Sequence, residues 1–83
     1  MHVVLYSRPG CGLCDRAREI LQAQRARTPF DLEDVDISGD DDLERSFGVR
    51  IPVVVVDGVE RFEVEVPPTE LAALAAASAR EGA

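Results

Sequence analysis

Lysine is missing altogether, and all nine cationic residues are arginine. Schiff-base chemistry through a lysine amine is therefore excluded. Positive charge is also outweighed, since sixteen carboxylates leave a formal net charge of −7. A surface that binds nucleic-acid phosphates needs the opposite sign, so nucleic acid is not an expected partner. No apolar stretch approaches the roughly 18 residues of a membrane-spanning helix, and no membrane partner is expected. The first apolar run is only Val3-Val4-Leu5-Tyr6, and Ser7-Arg8-Pro9-Gly10 ends it. That start lacks the basic-then-apolar pattern of a secretory leader, so the expected location is the cytoplasm. Histidine occurs once, as His2, where a part-exposed strand residue is the expected role. A zinc site within one chain would then need carboxylates to complete it. No repeat, linker or domain boundary interrupts residues 1–83, which suit one small domain with a single core.

Cysteine occurs only twice, in Cys11-Gly12-Leu13-Cys14. A lone pair at this spacing is usually a reversible redox dithiol, occasionally half of a metal site and seldom a structural staple. Magnitude disfavours the staple. Closing so short a loop removes only about 2 kcal/mol of unfolded-chain entropy, and strain erodes that. In a reducing cytosol the pair would rest reduced and oxidise only in turnover.

The surroundings place the pair on a particular element. Val3 to Tyr6 reads as a strand buried on both faces, and the following four residues as a turn. From Gly12, helical spacing takes over, with Leu13, Ala17, Ile20, Leu21 and Gln24 marking one broad face. Cys11 thus falls at a helix N-terminus and Cys14 within its first turn, close enough for their sulfurs to bond. Unpaired N–H groups and aligned peptide dipoles favour negative charge there. A thiol of ordinary pKa about 8.5 commonly drops to between roughly 3.5 and 7.5 in such a setting. Cys11 is the expected attacking sulfur and Cys14, deeper in the helix, the resolving one. Arg8 is a candidate source of further positive charge near Cys11.

Further on, the first helix should fade around Ala26, where Thr28-Pro29 stops it. Phe30, Leu32, Val35 and Ile37 mark a second strand, shorter than that span because the parity changes between Leu32 and Val35. Ser38-Gly39 is a turn, and Asp40-Asp41-Asp42 opens a short helix with Leu43 and Phe47 as its contacts, ended by Gly48. Asp34, Asp36, Ser38 and Gly39 match the start of an EF-hand calcium loop. The match fails at its twelfth position, which is Arg45 where a bidentate glutamate is required. A solvated acidic face and helix cap are the better account.

Arg50-Ile51-Pro52 precedes Val53-Val54-Val55-Val56, and a proline there belongs at the first position of a buried strand. Asp57-Gly58 signals a hairpin, with a returning strand from Val59 to about Val66 and edge charges at Glu63 and Glu65. Pro67-Pro68-Thr69-Glu70 starts a last helix anchored by Leu71 and Leu74, whose tail, Arg80-Glu81-Gly82-Ala83, is expected to fray. The order is strand, helix, strand, helix, strand, strand, helix.

The run Leu5-Tyr6-Ser7-Arg8-Pro9-Gly10-Cys11-Gly12-Leu13-Cys14, the Ile51-Pro52 strand start and the Asp57-Gly58 hairpin together resemble a glutaredoxin-like member of the thioredoxin superfamily. The resemblance implies an α/β, three-layer thioredoxin-like fold with a four-stranded mixed sheet and three helices. It implies a thiol–disulfide oxidoreductase with Cys11 as nucleophile and Cys14 as resolving cysteine. Substrate contacts are expected at Arg8, Gly12, Leu13, Ile51 and Pro52, with Pro52 cis and the backbone of Ile51 offered to an extended disulfide. No cofactor or metal is expected to be bound. Substrates would be protein or low-molecular-weight disulfides, met by a monomer. Reducing equivalents would come from a protein reductase or from glutathione. The departures from the family pattern lie in Gly12-Leu13, where glutaredoxins usually carry Pro-Tyr, and after the hairpin. There Val59-Glu60-Arg61-Phe62-Glu63-Val64 lacks the Gly-Gly that helps hold glutathione, and Glu60 and Glu63 would repel its carboxylates unless Arg61 compensates. The competing class is a metal-binding or interaction module, such as a dimer sharing zinc or an iron–sulfur cluster between two cysteine pairs.

Overall fold

In the computed structural model, which describes residues 1–81, four strands and three helices follow the expected order. α1 (Gly12–Arg27) joins β1 (His2–Ser7) to β2 (Asp31–Asp36). α2 (Asp41–Phe47) leads into the hairpin of β3 (Val53–Val56) and β4 (Val59–Glu63), and α3 (Pro68–Glu81) follows. The strands form one sheet in the order β2-β1-β3-β4. β1 and β2 are parallel, as a helical crossover requires, while β3 runs antiparallel to β1 and β4.

β1 and β3 are the two inner strands, which is why their sequences are almost continuously apolar. Val3, Leu5, Val53 and Val54 are fully buried. Alternation sends Leu5 and Val54 to one face, where they meet Ala17 and Leu21 of α1 and Leu71 of α3. Tyr6, of opposite parity, stacks on Phe47 of α2 with ring centroids 4.3 Å apart. The sheet is therefore sandwiched between α1 and α3 on one side and α2 on the other. Leu21 lies fully buried in this core, so Leu21→Ala should destabilise the protein by about 2–5 kcal/mol. A lower urea midpoint with an unchanged m-value would register that loss. An unmoved midpoint would contradict the packing.

The helix limits follow from their caps. Thr28 ends α1 by donating its N–H to the Gln24 carbonyl at 2.8 Å. The Asp40 carboxylate accepts from the N–H groups of Asp42 and Leu43, both at 3.1 Å, and so starts α2. The Asp36 carboxylate accepts from the Ser38 N–H at 2.8 Å, and chiefly that bond lowers its pKa. These acids thus serve turn and cap.

Two details differ from the expected pattern. Leu13 does not join the helix core but is 49% exposed, and Cys14 takes the buried place beside Ala17 and Leu21. One residue rotates a helix by about 100°, enough to move Leu13 off the core face. The returning strand stops at Glu63 rather than near Val66. A bulge sets Phe62 opposite Val54 but Glu60 opposite Val55, and Val64 turns the chain with φ at 69°. Val66 is still buried, on the far side of that turn. α3 runs through Glu81, and the last residues of the tail expected to fray, Gly82 and Ala83, lie outside the described residues.

Candidate active site

Cys11 is the N-cap of α1, in extended conformation with φ −100° and ψ 108°. Its Sγ accepts a hydrogen bond from the Cys14 N–H at 3.1 Å, the role that a serine or aspartate oxygen plays in other caps. The sequence folds this way because Pro9-Gly10 turns the chain out of β1, with Gly10 at φ 76° in the left-handed region that glycine enters freely. The two cysteines are bonded to each other, with Cα atoms 5.2 Å apart. Cys14 is completely buried, whereas Cys11 remains partly accessible. Cys11 is therefore the sulfur-bearing residue of the pair that solvent reaches.

Val64 connects this pair to the Ile51-Pro52 segment. Its N–H donates to the carbonyls of Pro52 (2.8 Å) and Arg50 (3.2 Å), while its side chain lines a groove with Gly12 and Leu13. The antiparallel register points the same way, pairing Val53 with Tyr6 and so placing Pro52 at the end of β1 that leads to Cys11. The Ile51–Pro52 peptide is cis, and Pro52 is buried. Val64 thus links the Pro52 carbonyl to the groove that Gly12 and Leu13 line beside the cysteines.

The charges are distributed differently. The Arg8 guanidinium is engaged by Glu44 of α2 at 2.5 Å, so its charge is shared with that carboxylate. Arg61 is not the partner of Glu60 and Glu63. Arg50 holds both, at 3.0 and 3.1 Å, donates to the Ser46 carbonyl at 2.7 Å and lies 5.5 Å over the Phe47 ring. The hydrogen bond from Arg50 is the main cause of a lowered Glu60 pKa. A depressed folded-state pKa contributes stability above the ordinary carboxylate pKa, and this is lost as pH falls through the folded value. Arg50→Ala should therefore move the Glu60 titration upward and lower stability at neutral pH, with the gap closing in acid. A pH titration of the Glu60 side chain by NMR, beside urea melts at both pH values, checks this. An unmoved Glu60 titration would contradict the pairing.

A second network braces α1 from below. Ser7 is 3% exposed, and its hydroxyl donates to Asp34 at 2.8 Å and accepts from Arg18 at 3.3 Å. Arg18, one turn after Cys14, also binds Asp34 at 2.5 Å and Asp15 at 2.9 Å. The Asp34 bond is the main cause of its raised pKa. This network ties the dithiol helix to both parallel strands, and it occupies an acid that the calcium reading would have used. Among the described residues no three His, Cys, Asp or Glu side chains cluster as metal ligands. No described helix is long and apolar enough to cross a membrane.

Sequence reasoning missed the groove wall beyond Leu13, formed by Arg16, Ile20 and the segment Val64 to Pro68. The available signal was the parity of Leu13, which helical spacing alone assigned to the core. It also weighed Arg61 alone as a compensating charge, whereas the fold brings Arg50 beside Glu60 and Glu63.

Comparison with known proteins places this geometry. The family model described as Glutaredoxin-like domain (DUF836) matches residues 2–76. The uncharacterized protein Rv0508 of Mycobacterium tuberculosis is 36% identical over 76 residues, covering 86% of this chain and 78% of that protein. The crystal structure of the protein XcR50 from X. campestris superposes with a TM-score of 0.75 at 32% identity, covering 90% of this chain and 96% of that one. Thioredoxin 1 from Thermosipho africanus superposes with a TM-score of 0.73 over 99% of this chain and 98% of its own. At 16% identity that likeness speaks for the fold alone. With a thioredoxin-like fold and a family match along most of its length, the chain belongs to the glutaredoxin-like domain family.

Proposed function

We propose that the protein is a thiol–disulfide oxidoreductase working through Cys11 and Cys14. The observation that carries this reading is the unequal burial of two bonded sulfurs at a helix N-terminus. In the reduced protein, the Cys11 thiolate attacks one sulfur of a substrate disulfide and releases the other as a thiolate, which takes up a proton. The Cys14 thiolate then attacks Cys11 Sγ, expelling the second substrate thiolate and forming the Cys11–Cys14 bond. Two electrons have passed to the substrate, and two electrons with two protons from a donor reset the pair. The N-cap position supports the first step, since the helix N-terminus favours the thiolate over the thiol.

The other parts of the reading concern partners. Arg8, Gly12, Leu13, Ile51 and Pro52 are assigned to substrate contact, with the Ile51 backbone available to an extended chain. Protein or low-molecular-weight disulfides are the substrates, no cofactor is bound, and the protein acts as a cytoplasmic monomer. Electrons come from a protein reductase or from glutathione. Stoichiometric reduction of insulin by the prereduced protein tests the reaction class directly. Insulin disulfide loss matched by Cys11–Cys14 formation is expected. Intact insulin and a pair that stays reduced would refute the proposal.

A further inference from the structure

The groove that begins beside the dithiol does not end there. Its first part, about 460 Å³, starts at Gly12 and Leu13 and passes Arg16 and Glu65. A second depression of about 490 Å³ continues between α1 and α3 past Arg27 and Leu71. The two share Ile20 and Pro68, so one seam runs along most of α1. Its floor is apolar, and Leu13 (49%) and Val64 (42%) are exposed at its upper end.

The charge of the seam opposes that of the molecule. The chain carries −7, yet the charged side chains lining the seam are Arg16, Arg27 and a single glutamate, Glu65. Arg8, Arg18, Arg45 and Arg50 are all ion-paired, whereas Arg16 and Arg27, like Arg25 and Arg61, form no ion pair with any described residue. Two unpaired arginines over an apolar trough on an acidic protein suit a negatively charged, partly apolar chain.

We infer that the α1–α3 seam docks an extended polypeptide segment of a protein disulfide partner, with apolar residues beside its reactive cysteine and carboxylates further along. Helical rise sets the spacing. Arg16 lies about 7.5 Å and Arg27 about 24 Å along the helix from Cys11, at 1.5 Å per residue. An extended chain covers about 3.3 Å per residue, so its carboxylates should stand about two and about seven positions from the cysteine. This inference rests on the oxidoreductase reading for the reactive end of the seam and names the substrate class that reading leaves open.

The test uses synthetic single-cysteine peptides as symmetrical disulfides, with glutamate at both of those positions, on the N-terminal or the C-terminal side in separate peptides. Glutamine and lysine versions serve as controls, and bis(2-hydroxyethyl) disulfide as a substrate too small to reach the seam. At low salt one glutamate peptide should be reduced about tenfold faster than its glutamine counterpart, as two exposed ion pairs allow. The Arg16→Glu/Arg27→Glu double variant should lose that advantage and prefer the lysine peptide, each peptide rate being taken relative to the rate on the small disulfide. The charge-swap rescue separates docking from misfolding. Serine-for-cysteine peptides, followed by NMR titration, should shift amides at Arg16, Ile20, Arg27 and Ala72. Peptide rates indifferent to charge, amide shifts elsewhere, or a self-associating protein made monomeric by the double variant would each overturn the inference. If no disulfide is reduced, the oxidoreductase reading fails, and the titration still decides whether the seam binds acidic chains.

Discussion

Cys11→Ser should reduce thiol exchange to the uncatalysed background, while Cys14→Ser should keep the first chemical step and stall after it. A hydroxyl does not attack a disulfide at neutral pH, and Cys14 is too buried to substitute as the attacking group. In Cys14→Ser the Cys11 thiolate still opens the substrate disulfide, but no second thiolate displaces the product. Without a donor thiol, mixed disulfide should therefore accumulate to one substrate per protein, whereas the wild type releases product and closes the Cys11–Cys14 bond. Loss of the Cys11 sulfur also removes the cap that accepts the Cys14 N–H, but serine caps a helix equally well. Cys11→Ser should then fold normally and be inactive. Activity retained by Cys11→Ser, or lost in the first step by Cys14→Ser, would reverse the assigned roles.

Glutathione is expected to be the poorer electron donor, by about one to four decades in affinity relative to a site that carries the glutathione-binding glycine pair. Glu60 and Glu63 stand on β4 close to the Ile51-Pro52 segment, and one arginine is shared between them. The trio keeps one net negative charge, and Arg50 is already committed. Glutathione brings two further carboxylates. A lost charge-assisted hydrogen bond and an added like charge are each worth on the order of 1–3 kcal/mol. A reductase docking as a protein spreads its contacts over a wider surface and depends less on these few residues. Insulin reduction coupled to a thioredoxin-reductase-type donor, or to another dithiol, should outpace the glutathione-coupled assay at physiological concentrations. Efficient glutathione-driven turnover would contradict this account of β4.

Much of the fold was legible because its signals are local. The apolar run of β1, the Thr28-Pro29 stop of α1, the Asp40 cap and the Asp57-Gly58 hairpin each appear at their expected residues. The hairpin is direct, since both central residues take positive φ, 50° and 83°. What was not legible depends on tertiary partners. The alternation of Phe62, Val64 and Val66 looks like strand, but the Val64 N–H is claimed by the Pro52 and Arg50 carbonyls and the chain turns there. Val64 adopts a left-handed conformation that a β-branched residue resists, at a position where no glycine announces a turn. The site was half legible for the same reason. Cys11, Cys14 and Pro52 carry their signal in spacing and residue type. Arg8, by contrast, has Glu44 as its partner, and Arg50 reaches Glu60 and Glu63 only because β4 folds back beside it.

The most direct test of the central claim is competitive alkylation of the reduced wild-type protein across pH, with each cysteine followed by peptide mass spectrometry. The account predicts that Cys11 is modified first, with an apparent pKa below the ordinary thiol value of about 8.5, and Cys14 only slowly. Equal rates at the two cysteines, or faster modification of Cys14, would contradict it.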